Sequence, residues 1–449
     1  MPTTKTNNVP TAEVGNVKAA VLGLQHLLAM YSGAVVVPLL IGGALHFSAL
    51  QMTYLVSIDI FMCGLATFFQ LRSNRFMGIG LPVVLGCAVQ AVEPLKMIGA
   101  HYSVGTMYGA IIAAGIFVVL IAGWFAKIKR LFPPLVTGTL ITVIGLSLIP
   151  VAFQNLGGGD MNAKNFGNLT NIGIGFLTIF IILGVSFWGR GFLKSIAVLV
   201  GLIIGTLVAA YFGLVSLKPV AEASWFHFPR LFYFGRPQFE WSSIMTMILI
   251  SLVSMVESTG VYFALGDITK RKLTRDDLKR GYRAEGMAII FGGLFNTFPY
   301  TTFSQNVGLV QLSGIKTRKP VYFAAGFLVL LGLLPKFGAI ATIIPDPVLG
   351  GAMLVMFGMV AVQGIRMLQN VNFQNDKNLL VVAISIGLGL GVTVQPQIFQ
   401  FLPNTLQLLF SNGIVMASLA AVLLNLIFNG MGTIDEEAVG LNEDKTDER

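Results

Sequence analysis

Four ionisable side chains lie inside long apolar runs of this chain, and each is a candidate for chemistry. An ionisable group at the bilayer centre costs roughly 2.5–3.5 kcal/mol on insertion scales, so such residues are functional candidates by default. Glu257 stands about midway along one run, in Leu252-Val-Ser-Met-Val-Glu257-Ser-Thr-Gly260. A carboxylate there can accept hydrogen bonds from ligand N–H groups or carry a proton; the structural alternative is pairing with a neighbouring helix. His26, in Gly23-Leu-Gln-His26-Leu-Leu-Ala-Met-Tyr31, reads either as a satisfied interhelical hydrogen bonder or as a proton relay. Glu285 opens a segment directly after a basic loop, where a surface partnership with Arg283 and a role in proton coupling are both open. Asp59 has no motif around it and reads as structural or gate-lining. His46, His101 and His227 fall near segment ends or in loops and carry no signal.

The most polar cluster at membrane depth is Thr301-Thr-Phe-Ser-Gln-Asn306, followed by Gly308, Gly314 and Lys316-Thr-Arg318. A lipid-facing helix would not contain it, because irregular or polar backbone at that depth is tolerated only when buried in protein or lining a cavity. The Gln305 amide offers one acceptor and two donors on a planar group, which suits the edge of a planar heterocycle. Phe303 beside it supplies a ring face for stacking. A glutamate, a glutamine, an aromatic ring and free half-helix N–H groups together describe a pocket for a flat, neutral, hydrogen-bonding ligand.

The elements that must position these groups are membrane spans. The chain has 449 residues, of which 55% are hydrophobic and only 11% charged, with mean hydropathy +0.79. Soluble domains carry roughly 25% charged residues. No charge occurs between Lys18 and Asp59, between Lys96 and Lys127, or between Lys377 and Asp435, and each gap accommodates one or two spans of about 20 residues. Fourteen apolar segments follow, near 17–44, 49–71, 81–95, 103–126, 134–153, 171–188, 192–214, 243–266, 284–298, 303–315, 321–343, 347–368, 378–394 and 411–430. With a cytoplasmic N-terminus, 23 of the 29 Lys and Arg residues fall inside and 6 outside. Outside are Lys96, Lys164, Lys218, Arg230, Arg236 and Lys336; the inside set includes Lys5, Lys127, Lys129, Arg130, Lys445 and Arg449. This is the asymmetry of the positive-inside rule. It accounts for the pI near 9.5 without nucleic acid, and for the basic run Lys270–Arg283 as a topology-fixing loop, with a lipid-headgroup contact as its alternative. Cys63 and Cys87 both lie in apolar segments and suggest no disulfide or metal framework. The polar first sixteen residues hold no cleavable signal peptide.

The two halves echo each other. Pro134 is followed by Gly138 and Gly145, and Pro347 by Gly351 and Gly358, at identical spacing. Seven spans separate the copies, so the repeats are expected to be inverted. Leu81-Pro-Val-Val-Leu-Gly-Cys-Ala-Val-Gln90 and Phe298-Pro-Tyr-Thr-Thr-Phe-Ser-Gln-Asn-Val307 form a second echo, each the third segment of its half and too short or polar for a full span. Paired interrupted segments in corresponding positions point to a transporter's midplane site.

Gln305-Asn-Val-Gly-Leu-Val-Gln-Leu-Ser-Gly-Ile-Lys-Thr-Arg318 resembles the signature of the nucleobase–ascorbate transporter family, Gln25-His26 is similar to its first-span motif, and the Glu257 segment is similar to its eighth-span substrate glutamate. The resemblance spans essentially the whole hydrophobic chain. It implies an all-α polytopic membrane protein of fourteen segments in a 7+7 inverted repeat, with segments 3 and 10 interrupted by short strands. It also implies a core domain (17–128 and 243–343) and a gate domain (129–242 and 344–432), with cytoplasmic tails at 1–16 and 433–449. Glu257 and Gln305 would hydrogen-bond the base, Ser304 and Val89 would offer backbone groups, and Phe303 would stack. His26, Glu285 and Asn306 would belong to the proton-coupling network, together with Glu257. Val89 stands where the family often has a stacking Phe, leaving the base sandwiched from one side only. Gln305, where uracil carriers of the family have Glu, favours an oxidised purine.

The expectation is therefore a proton-coupled permease for xanthine or uric acid in the cell (inner) membrane, working as a homodimer by elevator motion, with no metal, no other cofactor and no nucleic-acid partner. No phosphate-binding Gly-x-x-x-x-Gly-Lys-Ser/Thr motif occurs, which argues against ATP-driven transport. The alternatives are a uracil permease of the same family and an anion exchanger of the same fold, where a carboxylate at Glu257 would repel the cargo. A membrane-embedded enzyme would need a nucleophile or metal cluster that isolated cysteines and scattered histidines do not supply.

Overall fold

The computed structural model describes residues 14–125, 131–369 and 371–430. Lys5, Lys127, Lys129, Arg130, Lys445 and Arg449, most of the 1–16 tail and all of the 433–449 tail lie outside the described residues. The first half runs α1 (Asn16–Ala44), α2 (Ala49–Leu71), β1 (Leu85–Cys87), α3 (Val92–His101) and α4 (Val104–Ile121). It continues with α5 (Pro134–Ser147), α6 (Ile149–Gly157), α7 (Leu169–Trp188), α8 (Phe192–Ser195), α9 (Ala197–Tyr211) and the short α10 (Lys218–Glu222). The second half runs α11 (Trp241–Thr269), α12 (Arg275–Leu294), β2 (Tyr300–Thr302), α13 (Ser304–Ser313), α14 (Lys319–Gly332) and α15 (Pro335–Thr342). It ends with α16 (Asp346–Leu368), α17 (Asp376–Val394), α18 (Asn404–Phe410) and α19 (Gly413–Asn429). Among the described residues, eight helices are long and apolar enough to cross a membrane, with α5 and α6 counted together as one, or nine if α14 and α15, bent by 82°, also count as one span.

The packing separates into two groups. Helices α1, α2 and α4 pack with α11, α12, α14 and α15, whereas α5, α6, α7 and α9 pack with α16, and α5 also with α17 and α19. The most apolar windows of α1 and α2 are 72% buried, against 28% in α7 and 22% in α17, so the first pair is central and the second peripheral. Three of the four echoed glycines sit at close backbone approaches: side chains added at Gly138 or Gly145 would collide with Gly364, Leu368 or Ala361 of α16, and one at Gly351 with Gly175 of α7, whereas Gly358 has open space around it.

The two polar, proline-bearing segments fold as strand plus helix. β1 and β2 pair antiparallel, Leu85 opposite Thr302, Gly86 opposite Thr301 and Cys87 opposite Tyr300. Backbone bonds from Ala88 N to the Pro299 carbonyl (2.8 Å) and from Phe303 N to the Val84 carbonyl (2.9 Å) extend the ribbon by one residue at each end. A two-stranded ribbon leaves outer-edge groups that cannot be abandoned inside a membrane. Thr67 Oγ1 accepts from Leu85 N on one edge (3.0 Å), and Ser258 Oγ accepts from Thr302 N on the other (3.4 Å). Asn296, fully buried with φ +59°, turns the chain into β2. Asparagine tolerates that left-handed conformation better than most residues, and its carbonyl and amide oxygen accept from Tyr108 Oη and Phe234 N.

Candidate functional site

Helix α11 presents one polar stripe toward both interrupted segments. Ser254, Glu257 and Ser258 are three and four residues apart and therefore share a face. Gln90, at the turn between β1 and α3, donates its amide to Glu257 Oε2 (3.1 Å) and Ser254 Oγ (2.7 Å). Ser258 Oγ meets Thr301 Oγ1 and Thr302 Oγ1, both at 3.1 Å, on β2. The half-buried Glu257 therefore sits where the first segment's turn and the second segment's strand reach the same helix.

Helix α13 begins at that point and packs against α11. Ser304 and Gln305, its first two residues, are exposed, and Gln305 has no side-chain partner among the described residues. Val89, half-buried, opens the single 3₁₀ turn that precedes α3. Phe303 is placed differently from a free-standing stacking ring: only 7% of it is accessible, and its tip inserts between Gly33 of α1 and Gly86 of β1. Ser304 and Gln305 thus stand at the exposed start of a helix that packs against α11, Val89 lies in the turn that also carries Gln90, and Phe303 is packed between α1 and β1.

The remaining sequence candidates form three buried networks. His26 and Asn306 are both buried and meet directly, with Asn306 Nδ2 donating to the His26 carbonyl (3.0 Å) and lying 3.1 Å from His26 Nδ1. This pins α13 to α1. Glu285, 1% exposed, accepts a short hydrogen bond from Tyr262 Oη, and Gln70 Nε2 donates to that same hydroxyl (2.7 Å). Its partner is therefore an interior tyrosine rather than Arg283 at the surface. Asp59 is fully buried: Tyr300 Oη donates to one of its oxygens (2.8 Å), and the thiols of Cys87 and Cys63 face the other at 2.6 and 3.8 Å.

That last network revises the view of the cysteines as isolated. Their sulfur atoms and an Asp59 oxygen lie within 4.8 Å of one another, a set that could hold a soft divalent ion. Thiols and phenol already satisfy the carboxylate as hydrogen-bond donors, however, and tie α2 to both strands. The residues that a single-sequence reading missed are Gln90, Ser254, Ser258 and Tyr262. Ser254 and Ser258 flank Glu257 at helical spacing, which was a usable signal, whereas nothing local marks Gln90 as Glu257's partner.

Comparison with known proteins fits this geometry. A permease family model (Xan_ur_permease) matches residues 17–398. The chain is 52% identical to a xanthine permease of Bacillus subtilis (strain 168) over 432 residues, 96% of this chain and 98% of that protein. It is 55% identical to the uric acid permease PucK of the same organism over 408 residues, covering 91% and 94% of the two chains. Among solved structures, the transmembrane domain of the cyanobacterial bicarbonate transporter BicA shares the fold, with TM-score 0.58 at 15% identity, covering 84% of this chain and 96% of that one.

Proposed function

The chain belongs to the nucleobase–ascorbate transporter family, a family of multi-pass membrane permeases and not of enzymes, and on that premise we propose that it imports xanthine, uric acid or both by proton symport. The observation that supports the reading is the Gln90–Glu257 hydrogen bond on α11, with α13, whose first residues Ser304 and Gln305 are exposed, packed against the same helix. An oxidised purine presents alternating N–H and C=O groups along a flat edge. Glu257 accepts from a ring N–H, the Gln305 amide pairs with an adjacent edge of the base, and backbone groups at Ser304 and Val89 complete the set. Gln90 keeps the glutamate aimed along the stripe.

The fourteen segments form an inverted 7+7 repeat, with segments 1–4 and 8–11 as the core and 5–7 and 12–14 as the gate. The separation of helix packing into two groups supports this division, as does the fold shared with BicA. Substrate and proton load together at Glu257, with His26, Asn306 and Glu285 in the coupling network, and the core then slides against the gate as an elevator. The protein works in the cell membrane as a homodimer with both termini in the cytoplasm.

Uptake of labelled xanthine, with and without a protonophore and against a panel of competing bases, tests this reading. Accumulation should collapse with the protonophore and be blocked by uric acid. Glu257→Gln should abolish accumulation while the protein still reaches the membrane; wild-type uptake by that variant would refute the assignment. Stronger competition by uracil than by either purine would favour a pyrimidine permease. The BicA-like fold raises anion exchange as the second reading, and bicarbonate- or chloride-driven flux with no response to purines would select it.

A further inference from the structure

The tip of the Phe303 ring is held between two backbones that have no side chains of their own. A methyl group placed on Gly86 of β1 would lie 2.5 Å from Phe303 Cε2 and 2.6 Å from Cδ2. Carbon atoms pack at about 3.5–4.0 Å. One placed on Gly33 of α1 would overlap the opposite part of the same tip, at Cζ and Cε1. Neither backbone can readily yield: Gly86 is paired within the ribbon and Gly33 lies inside a 29-residue helix. Phe303's own backbone is also fixed, by its bond to the Val84 carbonyl. Any carbon added at either glycine must therefore move the ring.

We propose that Gly33 and Gly86 are positioning residues for substrate selectivity, setting how far the Phe303 ring withdraws and so how large a base fits beside Gln305. This rests on the purine-transport reading above and adds the determinant of base size. Phe303 directly precedes the exposed Ser304 and Gln305, and on this proposal the ring, once pushed from the slot, enters the space beside them. A bicyclic purine then loses room before a monocyclic pyrimidine does. The two glycines lie on different elements and contact different atoms of one ring, so substitution at either produces the same change in selectivity.

The test compares xanthine uptake and its inhibition by xanthine and by uracil in cells expressing Gly33→Ala, Gly86→Ala and wild type at matched membrane levels. The xanthine KM should rise on the order of tenfold, the scale of discrimination by pocket size, with maximal rate retained and uracil inhibition unchanged or stronger. Gly43→Ala on the same helix, with nothing near its added carbon, should behave as wild type. In a Phe303→Leu background, where the ring tip is gone, Gly33→Ala should have no further effect on the xanthine-to-uracil ratio. Where rates are too low, xanthine-dependent thermal stabilisation of the purified variants gives the same comparison. Wild-type KM in both alanine variants, equal losses for xanthine and uracil, or an undiminished effect in the Phe303→Leu background would overturn the proposal. So would alanine variants that fail to reach the membrane and are not restored by Phe303→Leu. A wild-type protein that takes up xanthine with unselective glycine variants sinks this inference alone; a wild type with no purine uptake sinks the transport reading with it.

Discussion

Gln90 is the side chain on which the aim of Glu257 depends. Its amide nitrogen holds Glu257 and Ser254 together, across a separation of more than 160 positions in sequence. A hydrogen bond to a charged group contributes roughly 1.5–3 kcal/mol, so Gln90→Leu is expected to weaken xanthine transport by about 10- to 100-fold, mainly through KM. Uptake kinetics at matched membrane levels check this, and unchanged kinetics would mean that the Gln90–Glu257 contact is idle during binding. Glu257 itself was legible because a lone acid in an apolar run is costly. Its partner was not, because an amide at a turn reveals nothing of the helix it faces.

At the scale of elements, the helix carrying Glu257 is anchored at its first turn by Glu240. That carboxylate accepts from the backbone N–H groups of Ser242 (3.0 Å) and Ser243 (2.7 Å) and from both of their hydroxyls. Burial alone would raise the Glu240 carboxyl, but these hydrogen bonds outweigh it and hold it below the ordinary carboxylate range. A group depressed on folding stabilises the folded state above its unfolded pKa, and that contribution is lost as pH falls through the lower folded value. Glu240→Ala should therefore cost about 0.5–2 kcal/mol near neutral pH, the range for lost caps. In thermal melts of the purified protein, the gap from wild type should close on acidification, and a gap that stays constant down to acid pH would contradict this origin. The interrupted segments belong to the same scale. Their prolines and polar residues showed that neither could be a full span, while the strand register depended on Thr67 and Ser258 arriving from two other helices to satisfy the ribbon's edges.

For the whole molecule, charge asymmetry gives an orientation that can be tested directly. Cys63 and Cys87 are buried at 0% and 1% exposure and should be silent toward a membrane-impermeant maleimide, so the native protein serves as its own blank. Lys164→Cys should then label in intact cells, whereas Arg75→Cys should label only after permeabilisation. The opposite pattern would invert the topology.

Composition and charge spacing alone determined that this chain is a multi-pass membrane protein and which acids fall within its apolar runs, because the cost of burying charge in hydrocarbon is local and legible residue by residue. The polar sequence of the tenth segment likewise marked it as no unbroken lipid-facing span, and it folds as a strand followed by a short helix. Tertiary structure decided which of those groups meet. It gave Glu285 an interior tyrosine as its partner and not Arg283, joined two distant cysteines around Asp59, and set the Phe303 ring into a slot between two glycines. These outcomes depend on contacts between elements far apart in the chain, and such contacts follow from packing geometry that no local pattern of residues encodes.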